Sequence, residues 1–124
     1  MNQPIPPWFI ENLEFKNRNQ ALLDKGNELQ QQALNLNCEV AAFVELTRIE
    51  TQITDLAEIS KLPQAKLYIE KMNEATFLKL QSSAFFSRWL ECERVRLDCL
   101  RCVMQTHNIQ AIPDEWEVCS KEAS

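Results

Sequence analysis

Apolar side chains recur along most of this chain in steps of three, four and seven residues, the spacing that an α-helix turns into a continuous ridge. From Leu22 the series runs Gly26, Leu29, Ala33, Leu36, Val40 and Phe43, an alternation of fours and threes that suits one helix lying along another in coiled-coil fashion. A second series, Ala42, Leu46, Ile49, Ile53, Leu56 and Ser60, begins before the first has ended. The pattern resumes after Pro63 and is densest from Phe77 to His107, a stretch without Pro or Gly. There one ridge reads Leu78, Phe85, Trp89, Cys92, Cys99, Val103, and another reads Phe86, Leu90, Leu97, Leu100, Met104. Two ridges are more than the single apolar face a surface helix needs, so this helix is expected to touch two neighbours.

The breaks in the pattern divide the chain. Lys61-Leu62-Pro63 is the strongest turn signal, because proline disfavours a helical residue before it and is tolerated in the first turn after it. The expected organisation is a single helical domain with four parts: a Pro-rich arm over 1–10, helix over 11–61, helix over 63–107 and a tail over 108–124. The first helix is expected to start between Glu11 and Asn19. Gly26 and the Asn35-Leu36-Asn37 triplet are its weak points, so 11–61 reads as one helix or as two. In the tail, Asp114 and Glu117 have the spacing of a capping box for one turn holding Trp116 and Val118.

The fold class that follows is all-α, a long antiparallel hairpin or a small bundle of three or four helices. Two helices alone cannot cover both ridges of the second one. Either the terminal segments complete the bundle or a second copy does, and the homodimer is the preferred reading. Ile49, Ile53, Phe85, Phe86 and Trp89 are the expected self-association residues. Trp8 and Phe9 on the arm either pack on their own bundle or reach a partner, and a hairpin would bring Trp8 and Trp116 to the same open end.

Composition and charge narrow the picture. One glycine in 124 residues argues against an all-β fold, which needs Gly-rich turns repeatedly. Charge is uneven: 38–60 carries Glu39, Glu45, Glu50, Asp55 and Glu58 against Arg48 alone, whereas 61–81 carries four lysines against Glu70 and Glu74. Opposite signs on either side of the turn favour pairing of the two segments. The formal net charge of -5 disfavours a coat for nucleic acid. A nucleic-acid-associated subunit is kept as the alternative, with Lys66, Lys71, Arg94 and Arg101 as its phosphate contacts. The first residues lack the basic and apolar regions of a secretory signal, no run is long and apolar enough to span a membrane, and the five cysteines show no framework spacing. A cytoplasmic protein with reduced thiols is the expectation.

Candidate chemistry is sparse. Cys92, Cys99, Cys102 and His107 would satisfy zinc by count, and Cys99 and Cys102 have the CxxC spacing. They lie within a periodic helix rather than on a tight knuckle, and thiols on an apolar ridge behave as small hydrophobes. A carboxylate-bridged di-iron site needs two Glu-x-x-His pairs, and the chain has one histidine with Met104 at the required position before it. No catalytic residue, metal or cofactor is expected. The reading is a non-enzymatic module, an adaptor, assembly or regulatory subunit, that binds protein partners through helical faces.

Overall fold

The computed structural model describes residues 4–117. It consists of α1 (Pro7–Thr51), α2 (Leu56–Ser60) and α3 (Ala65–Thr106), followed by a helical turn over 114–117, and there is no strand among the described residues. Helix α1 is a single element that begins earlier than the pattern predicts, with Pro7 at its first position. A fixed backbone angle and a missing N–H are no handicap there, and the amides of Phe9 and Ile10 bond back to the Pro6 carbonyl. The arm is therefore shorter than 1–10. Neither Gly26 nor the Asn35–Asn37 triplet breaks α1, and Asn35 accepts a side-chain bond from Gln31 one turn back.

The end of α1 is where expectation and structure part. Helix stops at Thr51, not at Lys61, because Gln52 takes a left-handed conformation at φ 61° and donates to the Arg48 carbonyl. Asp55 then caps α2 by accepting the Ala57 amide at 3.0 Å. After Leu62, Pro63 and Gln64 turn the chain into α3, which passes Asn73 unbroken. Its end is a Schellman arrangement one residue short of His107: Asn108 sits at φ 56°, Ile109 donates to Met104 and Asn108 donates to Gln105.

Contacts group the chain into two compact units. One comprises the residues up to Leu23 together with those from Ser87 onward, and the other is Asp24–Phe86. In Asp24–Phe86, α1 and α3 run antiparallel along a seam. Gly26, Leu29, Ala33, Leu36, Val40, Phe43 and Thr47 face Tyr68, Lys71, Ala75, Leu78, Ser82 and Phe85, and every one is buried or half-buried. The α1 side is the alternation of fours and threes read from the sequence. Its register is fixed at one level by Ser82 Oγ, which donates to the Gly26 carbonyl at 2.8 Å, and by the Phe86 ring, which lies on Gly26. One heptad away along each helix come Ala33 and Ala75, both essentially without exposed surface. Small residues there let the backbones approach, and Phe43 stacks on Tyr68 at 4.1 Å nearer the turn. Ile59 of α2 and Ala65 are buried beneath that turn.

In the other unit the seam is more polar. Asn12 and Arg96 hold each other: Arg96 Nη1 donates to Asn12 Oδ1 at 2.8 Å, and Asn12 Nδ2 donates to the Arg96 carbonyl at 3.3 Å. Glu93 closes on the same guanidinium at 2.6 Å, with little of either side chain exposed. Asn19, one heptad on from Asn12, is buried, and its Nδ2 has no hydrogen-bond partner among the described residues. Trp8, Phe9 and Trp116 form an aromatic cluster in which Trp8 meets Trp116 edge-on at 5.7 Å and Phe9 meets Trp116 at 5.3 Å. That is the closing contact the hairpin reading calls for.

Candidate interaction surfaces

The apolar ridges that the two seams do not use define the candidate surfaces. In Asp24–Phe86, α3 presents Phe77 at 59 % exposure and Leu80 at 66 %, and α1 presents Ile49 at 72 %. The cause is local: once Tyr68, Ala75, Leu78, Ser82 and Phe85 are turned toward α1, helical geometry directs Phe77 and Leu80 away from it. Of the expected self-association residues, Ile49 is open to solvent and Ile53 is half-buried in the link after α1. Phe85 belongs to the seam, and Phe86 is engaged on Gly26. Trp89, in the other unit, is half-buried, while Leu90 and Leu97 on the second ridge are exposed. The series Ala42, Leu46, Ile49 lies in the open, so it is a surface in this chain rather than a second seam.

Sequence reasoning overlooked Phe77 and Leu80, although a signal was present. Between Glu74 and Arg88 the only charge is Lys79, so α3 has no charged face over three turns.

The arm residues divide. Phe9 is only 4 % exposed and faces Trp116, so its side chain belongs to the packing of its own unit. Trp8 is half-buried, stacked on His107 at 5.7 Å, and borders a groove of about 300 Å³ whose other walls include Phe15, Val95, Cys99, Leu100 and Val103. The sole histidine therefore serves as a platform for an indole in this arrangement. Cys38, Cys92, Cys99 and Cys102 are free thiols, and among the described residues no three His, Cys, Asp or Glu side chains are placed to hold a metal ion.

Of the four candidate phosphate contacts, Lys71 and Arg101 are paired. Lys71 Nζ lies 2.7 Å from Glu39 and over the Tyr68 ring, and Arg101 lies 3.4 Å from Asp98. The Glu39 hydrogen bond raises the Lys71 pKa above the ordinary lysine value. Lys66 and Arg94 are exposed. No helix among the described residues is long and apolar enough to cross a membrane.

Comparison with family models, curated proteins and solved structures finds no match for this chain.

Proposed function

We propose that this chain is a non-enzymatic interaction module, an adaptor, assembly or regulatory subunit of the cytoplasm, that works by covering helical faces against protein partners, a second copy of itself among them. The observation that carries the reading is the solvent exposure of Ile49, Phe77 and Leu80 on helices whose seam is already filled from within the chain. Scattered apolar residues are normal on protein surfaces, but large ones recurring along the outer side of a helix mark interaction sites. Burying one such side chain stabilises an association by about 1.5–3 kcal/mol before ordering costs are set against it. A coiled-coil partner helix, or a helical face of the same chain, has the geometry to cover them.

The test is comparative capture. The immobilised chain should retain a protein in stoichiometric amount, its own free copy included. A variant carrying Ile49→Lys, Phe77→Lys and Leu80→Lys, still helical by circular dichroism, should retain none. Equal retention by the two, or retention of nothing by either, refutes the reading.

A further inference from the structure

Helix α3 within Asp24–Phe86 carries a strip that lacks what a solvent-facing strip ordinarily has. With its seam side fixed at Tyr68, Lys71, Ala75, Leu78, Ser82 and Phe85, the positions turned furthest from α1 beyond Lys66 and Glu70 are Asn73, Thr76, Phe77, Leu80, Ser83 and Ala84. All six are exposed and none is charged. A helix paired along one seam places its charged residues on this outer side. From its outer surface, this segment reads as a helix with a second neighbour.

We infer that the neighbour is the same strip of a second copy, with α3 packed antiparallel on α3 about a two-fold axis level with Leu80. This rests on the interaction reading above and names the partner for it. Two features select a copy over an unrelated helix. An isologous contact sets each residue near the axis close to its own equivalent, so a charged strip would repel itself, and this one carries no charge to oppose. The strip is also self-complementary in size. An axis at Leu80 sets the Phe77 ring of one copy against the small Ala84 of the other, twice over, with the two Leu80 side chains between them. Large residues facing small ones are what let facing helices interdigitate. The outer side of α1 is less suited, because Glu28, Glu45 and Arg48 share it with Leu34 and Ile49. A contact of α1 on α3 would moreover be head-to-tail and would not close at two.

The experiment is mass measurement by sedimentation from micromolar to millimolar chain, together with site-directed cross-linking. The wild type should form a dimer that goes no further. Leu80→Glu, at an exposed position and so without cost to the fold, should weaken it at least about thirtyfold, as loss of a central anchor does. Phe77→Glu should act likewise, and Gln31→Glu on α1 should not. For cross-linking, Cys38, Cys99, Cys102 and Cys119 are replaced by serine, and Phe77→Cys and Ala84→Cys are then made in separate chains. Oxidising the two chains together should give a mixed disulfide dimer in excess over either chain alone.

A dimer untouched by Leu80→Glu overturns this surface and leaves the interaction reading standing. Mass that keeps rising with concentration assigns the contact to α1 on α3 and overturns the two-fold. A monomer throughout the range overturns the inference and the self-association part of the reading together.

Discussion

Gly26→Ala should destabilise this protein even though it replaces a poor helix former with the best. Gly26 lies inside α1 with an ordinary helical backbone, so alanine should gain about 1 kcal/mol in propensity at an open position. The position is not open. A Cβ built there falls 2.7, 2.8 and 3.2 Å from three atoms of the Phe86 ring, and the first two distances are closer than packed carbon atoms approach. Relief requires the ring to swing or the helices to part. Parting them stretches the bond from Ser82 to the Gly26 carbonyl, itself worth about 1 kcal/mol. Overpacking of this kind costs about 1–3 kcal/mol. Set against the propensity gain, the net loss is about 1 kcal/mol, or roughly 4 °C in Tm for a chain of this length.

The assay is urea unfolding followed by circular dichroism at fixed protein concentration, with the midpoint read at constant slope. A second background makes the reasoning sharp. With Phe86→Leu the ring is gone, and Gly26→Ala should change sign and stabilise by several tenths of a kcal/mol or more. If Gly26→Ala stabilises the wild type by its full propensity, the Phe86 ring does not rest on Gly26, and the register drawn from that contact is wrong.

Other consequences follow from single contacts. Glu93→Ala removes the carboxylate that neutralises Arg96 where little solvent reaches either group, and thermal melting should show a loss of about 2–4 kcal/mol; Glu93→Leu with Arg96→Met should recover most of it, and failure to do so would mean that the pair does more than cancel its own desolvation. Ala33→Leu, at a position with no exposed surface, should cost about 1–3 kcal/mol by overpacking, and a neutral result would show that the backbones are not in close approach there. For Lys71 the sign is set by its raised pKa: the stabilisation is fully present below the unfolded lysine pKa of about 10.4 and is lost as pH rises through the higher folded value. Lys71→Met should therefore flatten the alkaline limb of a stability–pH profile and leave the neutral region parallel to wild type.

The sequence was informative wherever the hydrophobic period was regular. The α1 seam from Gly26 to Phe43 is legible residue by residue because small and larger apolar side chains follow one another there in unbroken steps of three and four. The turn at Pro63 and the meeting of Trp8 with Trp116 were legible for the same reason: proline chemistry and antiparallel geometry leave few alternatives. What the pattern hid are positions where apolar character is absent from the seam or present outside it. Asn12, Asn19, Thr47, Lys71, Ser82 and Arg96 all occupy seam positions, and no hydrophobicity count assigns them there. Phe77 and Leu80 are the converse case, apolar residues at positions that a helical hairpin turns to solvent. The stop at Thr51 was hidden too, since the series through Ile49, Ile53 and Leu56 continues across a left-handed Gln52 as though the helix did. The Asp55 to Glu58 spacing was the available signal for that restart.

Those polar and small seam residues bear on why the chain should associate at all. A seam built on Gly26, Ala33, Ala75 and Ser82 brings backbones close and pins one register, and its larger side chains Leu36, Val40, Phe43, Leu78 and Phe85 stay half-buried. Among the described residues no large side chain is completely buried. The apolar material that could supply the missing stability is instead on the outside, at Ile49, Phe77 and Leu80. Folding and association should then be one process, and the unfolding midpoint should depend on concentration. For a dimer that unfolds to two free chains, each tenfold dilution removes about 1.4 kcal/mol per dimer, which lowers Tm by about 3 °C at this chain length. Leu80→Glu should abolish that dependence and set Tm at or below the value the wild type reaches at the lowest concentration. A wild-type midpoint that stays constant across a hundredfold dilution would mean that the narrow seam suffices by itself, and the thermodynamic reason for covering the outer faces would be gone.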